Sequence, residues 1–312
     1  MSAVAMRLRG VTKRYGRVTA LAGLDLDVPA GALTGLVGPN GAGKTTTFGI
    51  AGGAIRADSG EVDLLGLGPF DPARHAGAVT LLPQDCELNP YTSVRDLLIF
   101  YGRLQGLTRL EGEREADRLL EAVDLVDRAR FRVNQLSHGM RRRVAVAQAL
   151  LGDPALVLLD EPTSGLDPHL VVRMRELFAA QRGRRAMVIS SHQLAELEAV
   201  CDHVIFMEKG RAVRAGAIAE LTGRGTEVRV FFAAEGHIVQ AETIVKEALP
   251  GGLAQPRSDH LLVQAPAGWD VARLNAAVLP ALIAAGVPVA EVRRGTSLEQ
   301  RYMEAREGLE AG

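Results

Sequence analysis

The chain has 312 residues, is 47% apolar and carries a formal charge of −1, with an isoelectric point of about 6.7. That length can bury a large core and support more than one domain. The near-neutral balance supplies no overall basic field of the kind nucleic-acid binding needs, so no stable nucleic-acid partner is expected. Cys86 and Cys201 suggest neither a disulfide framework nor a zinc cluster and read as reduced thiols of an intracellular protein. The opening MSAVAMRLRG lacks the apolar run of a signal peptide. The longest uncharged run, 274–290, is broken by Asn275, Pro280, Gly286 and Pro288, so it reads as a buried helix, a turn and a strand rather than a membrane span.

In chain order, residues 33–37 form an apolar strand that runs straight into a glycine loop, and a helix follows from Lys44 to Ile50. Residues 79–82 are a second short strand. The stretch 92–125 is mostly helical and begins a helical subdomain over about 90–153. Residues 156–159 are wholly apolar, as expected for a strand covered on both faces. A similar strand, 187–190, stops just before His192. This alternation predicts an α/β nucleotide-binding domain over residues 1–222. Gly223 and Gly225 mark a break. Beyond it the pattern gives strand 228–233, helix 238–249, strand 261–265, helix 271–284, strand 287–292 and helix 297–306. This predicts a small accessory α/β domain over 223–312, without a catalytic cluster of its own.

The loop Gly38-Pro39-Asn40-Gly41-Ala42-Gly43-Lys44-Thr45-Thr46 satisfies the phosphate-loop pattern in its required strand–loop–helix setting. Glycines let backbone amides turn toward an anion, and the new helix N-terminus adds a favourable dipole. Lys44 can neutralise the β- and γ-phosphates, Thr45 can place its hydroxyl on Mg²⁺, and Thr46 can make a further phosphate contact. Lys13, Lys44, Lys209 and Lys246 are the only lysines among 36 basic residues, which makes one inside such a loop notable. The run 156–159 ends in Asp160-Glu161. Asp160 suits Mg²⁺, and Glu161 suits polarising an attacking water.

With these residues in place, most of residues 4–220 resembles the nucleotide-binding subunit of an ATP-binding-cassette transporter. Gln84 matches that family's loop glutamine, which senses γ-phosphate and Mg²⁺. Leu136-Ser137-His138-Gly139-Met140 resembles its signature segment, Ser164-Gly165-Leu166-Asp167 its dimer-contact loop, and His192 its switch histidine. Tyr15 matches the aromatic residue that stacks on adenine. The resemblance implies ATP and Mg²⁺ as ligands and a head-to-tail homodimer. Ser137 and the amide of Gly139 would reach the γ-phosphate held by a second copy, on a helix beginning near Met140. It also implies a separate integral-membrane permease, most in keeping with export, and a location at the cytoplasmic face of the membrane, peripheral through that partner. The segment departs from the commonest family pattern at His138, where glycine is common, and at Met140, where glutamine is common. His138 reads as an exposed loop residue. Arg141, Arg142 and Arg143 read as a solvated helix start or a partner contact. His75, His169, His203, His237 and His260 lack metal-ligand spacing. The alternatives are a soluble cassette ATPase acting on ribosomes or DNA, and a weakly hydrolysing nucleotide-regulated scaffold. The chain has neither the paired cassettes nor the long coiled-coil insertion of the former, and its complete acid–base set argues against the latter.

Overall fold

The computed structural model describes residues 4–223, 225–233 and 235–310, and among these three sheets organise the chain. Two compact units are separated between Ala215 and Gly216.

In the first unit, β1 (Val4–Tyr15), β2 (Val18–Pro29) and β4 (Ser59–Leu64) form an antiparallel sheet of order β2-β1-β4. A second sheet contains β3 (Leu33–Val37), β5 (Val79–Leu82), β6 (Leu156–Leu159), β7 (Ala186–Ser190), β8 (His203–Glu208) and β9 (Arg211–Ala217), in the order β5-β6-β7-β3-β8-β9. Pairing is parallel from β5 across to β8. Every residue of β3, β6 and β7 is buried. A parallel strand covered on both faces needs a predominantly apolar sequence, and Thr34 and Ser190 are the buried polar residues within these three. The two sheets share one core, in which Leu8, Val11 and Leu24 join Leu36, Leu158, Val188 and Phe48.

The antiparallel sheet is missing from the expected elements because β1 does not alternate cleanly. Its pairing with β2 shifts register between Leu8 and Val11 and again between Lys13 and Arg14. Each shift turns the buried face by one residue and breaks the period of two.

Helix α1 (Lys44–Ala51) follows β3, and α2 (Pro72–His75) precedes β5. Between β5 and β6 lie α3 (Val94–Leu104), α4 (Arg109–Ala122) and α5 (His138–Ala149). The caps explain why these helices start where they do. Ser93 accepts from the Asp96 amide, and Thr108 and Glu111 form a reciprocal capping box. Helices α6 (Pro168–Ala179) and α7 (Leu194–Val200) complete this unit.

The second unit holds α8 (Ile218–Thr222), β10 (Glu227–Phe232), α9 (Ile238–Ala248), β11 (Leu253–Pro256), β12 (His260–Gln264), α10 (Val271–Ala284), β13 (Val289–Arg294) and α11 (Leu298–Glu310). Its sheet has the order β11-β12-β10-β13, antiparallel throughout. Val228, Val230, Leu261 and Val263 alternate into a core closed by Ala241, Val245, Leu274, Val278 and Leu282. The last strand begins after Pro288 rather than at 287, since proline has no amide to give to a ladder. No described helix is long and apolar enough to cross a membrane.

The fold makes one stability prediction. Leu158 is fully buried at the centre of β6. Leu158→Ala should lower unfolding free energy by roughly 2–5 kcal/mol, read from urea denaturation midpoints.

Candidate active site

The order β5-β6-β7-β3 places the carboxyl ends of four parallel strands side by side. Gln84 follows β5, Asp160 and Glu161 follow β6, His192 follows β7 and the glycine loop follows β3. Sites of open α/β sheets form at this edge.

The glycine loop is set by contacts that admit no side chain. A Cβ on Gly38 would sit 2.4 Å from the Met207 carbonyl oxygen. Gly43, the N-cap of α1, has φ of 103°, and a Cβ there would meet the Ala20 carbonyl oxygen at 2.7 Å. Both positions therefore need glycine on steric grounds, and Gly43 on backbone grounds as well. Lys44 is 7% exposed, and its Nζ donates to the carbonyls of Gly38 at 2.6 Å and Pro39 at 3.2 Å. Burial pushes its ammonium below the usual lysine value, against the opposing pull of the Glu161 and Asp160 charges.

Asp160 is 1% exposed. Thr45 Oγ1 donates to its Oδ2 at 2.8 Å and Ser190 Oγ to its Oδ1 at 2.5 Å. Ser190 Oγ also accepts from the Glu161 amide at 2.8 Å. One hydroxyl at the end of β7 thus fixes two successive acids at the end of β6. Ser190 was not among the expected site residues. The only signal for it is a hydroxyl closing an otherwise apolar strand. Glu161 has φ of 50°, in the left-handed region that costs a residue with a Cβ about 1–3 kcal/mol. His192 Nδ1 stands 3.4 Å from Glu161 Oε1, and the imidazole is exposed.

These loops surround an open cavity of about 380 Å³. Tyr15, Asn40, Gly41 and Gly43 to Thr46 line it. Gln84, Asp160 and Glu161 line it as well. Tyr15 is 49% exposed, with Lys13 Nζ 5.5 Å from its ring centre. Gly38, Pro39 and Ala42 frame the loop without lining the cavity. The Thr45 hydroxyl and the Asp160 carboxylate bring hard oxygens together, a donor set that suits Mg²⁺.

Ser137 and Gly139 do not line this cavity. They begin α5, which starts at His138, two residues before the expected Met140, because Ser137 Oγ caps it by accepting from the Met140 amide at 3.2 Å. His138 is an exposed helix residue rather than a loop residue and lies over Gly165, where a Cβ would be 3.1 Å from its Cδ2. The expected solvated arginine run is also corrected. Arg142 is 7% and Arg143 5% exposed, and burial lowers both guanidinium pKa values. Arg143 Nη1 donates to the Val123 and Asp124 carbonyls, both at 2.8 Å. Arg142 turns the other way, to carbonyls of the loops after β5 and β6.

Residues 21–164 match a family described as ABC transporter. The Nod factor export ATP-binding protein I of Burkholderia lata is 40% identical over 222 residues, covering 70% of this chain and 72% of that protein. This chain belongs to the ABC transporter family. A second relative of this ABC protein, the linearmycin resistance ATP-binding protein LnrL of Bacillus subtilis, is 31% identical over 225 residues, covering 70% and 71% of the two chains. Among solved structures, the ATP-binding subunit of an ABC transporter superposes with a TM-score of 0.64 at 25% identity, covering 71% of this chain and 93% of that one. A dimeric ATP-binding cassette bound to ADP and Pi superposes at 0.63 with 23% identity, over 68% and 98%, and this likeness concerns the fold.

Ser190 gives the prediction for this site. Ser190→Ala leaves the buried Asp160 short of a donor and the Glu161 amide without its acceptor. Unfolding free energy should fall by about 1–3 kcal/mol in equilibrium urea titrations.

Proposed function

We propose that this ABC protein hydrolyses ATP to ADP and phosphate and so energises a separate integral-membrane permease, in the direction of export. The observation that carries the proposal is the arrangement of Lys44, Thr45, Asp160 and Glu161 around one cavity, with His192 beside the Glu161 carboxylate.

Each residue then has a task. Amides at Gly41 and Gly43 and the Lys44 ammonium hold the β- and γ-phosphates and stabilise charge as it develops. Gly38, Pro39, Asn40 and Ala42 shape that cradle, Thr46 adds a phosphate contact and Tyr15 stacks on adenine. Thr45, Asp160 and Gln84 would hold Mg²⁺, which when bound neutralises phosphate charge. Glu161 orients the attacking water and draws its proton. His192 holds the γ-phosphate side of that arrangement. Ser137, exposed, and Gly139, half-buried, stand at the start of α5 and serve the nucleotide of a second copy, which makes the working unit a homodimer. The start of α5 adds the positive end of a helix dipole there.

The division into a cassette over 1–222, with its helical subdomain near 90–153, and an accessory domain over 223–312 belongs to the same proposal. So does a peripheral position at the cytoplasmic face of the membrane, held by the permease. The export direction rests on the two relatives, one named for Nod factor export and one for linearmycin resistance.

Glu161→Gln should bind ATP as the parent does, accumulate as a closed dimer by size-exclusion chromatography with ATP, and turn over at least about 10²-fold more slowly. Unchanged turnover would remove Glu161 from its role. Lys44→Ala should instead lose nucleotide binding, measured by fluorescent-nucleotide titration. A membrane subunit should co-purify with the tagged chain, whereas co-purifying ribosomes or DNA would overturn the transport reading.

A further inference from the structure

We infer that Arg142 is a positioning residue that fastens the signature helix to the water-orienting carboxylate of its own chain. The inference rests on the hydrolytic role proposed for Glu161.

The Arg142 guanidinium is buried and faces four backbone carbonyls from two loops. Nη1 donates to Pro83 at 3.1 Å and to Gln84 at 2.9 Å. Nη2 donates to the Asp160 carbonyl and, at 2.8 Å, to that of Glu161. The fork donates to backbone carbonyls. Its effect is therefore to set where the backbone runs, using the fixed planar geometry that a lysine ammonium lacks.

The backbone it sets is the part that needs holding. Glu161 has a positive φ, which persists only where surrounding structure determines it. The Ser190 hydroxyl receives the Glu161 amide on one side. Arg142 binds the Glu161 carbonyl on the other. The peptide groups flanking the carboxylate are thus clamped from β7 and from α5.

The neighbouring arginines show that this is not a general property of the run. Arg141 Nη1 donates to the Leu136 carbonyl at 2.9 Å, just before its own helix. Arg143 anchors the opposite side of α5 to Val123 and Asp124. Arg142 lies four residues into α5, about 6 Å along the axis from its first residue. The end of α5 offered to a second copy and the carboxylate of the chain's own site therefore move as one body.

The test compares the full-length parent with Arg142→Met, Arg142→Lys, Arg143→Met and Glu161→Gln in steady-state MgATP hydrolysis, fluorescent-nucleotide binding and thermal unfolding. Arg142→Met should lower kcat by about 10²-fold, the scale of a small misplacement of a reacting group. Its KM and nucleotide affinity should stay within about twofold of the parent, the signature of a loss confined to the transition state. Arg142→Lys keeps the charge but not the fork, and should recover no more than about a tenth of parental kcat. Arg143→Met should lower the unfolding temperature without that split between kcat and KM.

Parental kcat in Arg142→Met, or in Arg142→Lys should the methionine variant not fold, overturns the inference. So does a fall in kcat matched by an equal fall in nucleotide affinity. A parent that hydrolyses while Glu161→Gln does not, alongside a normal Arg142→Met, rejects Arg142 alone. Parental turnover in Glu161→Gln rejects the Glu161 role, and with it the inference.

Discussion

A carboxylate removed from water must find hydrogen-bond donors or lose its charge, and Asp160 is in that position. Its two oxygens take one hydroxyl from Thr45 and one from Ser190. Those hydroxyls belong to the first turn of α1 and the last residue of β7. Satisfying one buried charge therefore ties the glycine loop, the end of β6 and the end of β7 into a single network. Networks of this kind hold their members in one arrangement because each half-made alternative leaves a buried polar group unpaired.

The remaining geometry follows from that anchor. With Asp160 fixed, Glu161 is the next residue out, turned by its positive φ toward His192. The strain of that turn is borne by Ser190 and Arg142, both well buried. Lys44 lies across the same cavity, its ammonium desolvated but within the field of both acids. Charges that face one another in a partly dry cleft interact more strongly than they would in water. The cavity is thus arranged for an anion flanked by a cation and a carboxylate, before anything enters it.

Much of this was legible from residue order alone. The largely apolar run at 33–37 and the wholly apolar run at 156–159 fall on β3 and β6, because strands covered on both faces bury nearly every side chain. The glycine loop was legible because its residue pattern and its strand–loop–helix setting are contiguous in the chain. Other features were not. The bulges of β1 hid the antiparallel sheet, since a register shift erases the alternation that marks a half-buried strand. Ser190 looks like an ordinary strand end until β6 and β7 are known to pair. Arg142 and Arg143 carry the residue type least expected inside a protein, and only tertiary structure supplies the carbonyls that make their burial tolerable. In the accessory unit, alternating valines and leucines exposed the sheet core but not the short strand β11, where a single alanine is buried.

Ser137 has a further consequence. One lone pair of its hydroxyl is engaged by the Met140 amide. A serine hydroxyl carries one proton and two lone pairs, so its proton and its second lone pair remain available beside the helix start. The exposed start of α5 consequently presents a hydroxyl hydrogen together with the unpaired amides of a first helical turn. Capping the helix thus leaves a free hydroxyl hydrogen beside a positive helix end, a combination that favours an oxyanion over a cation.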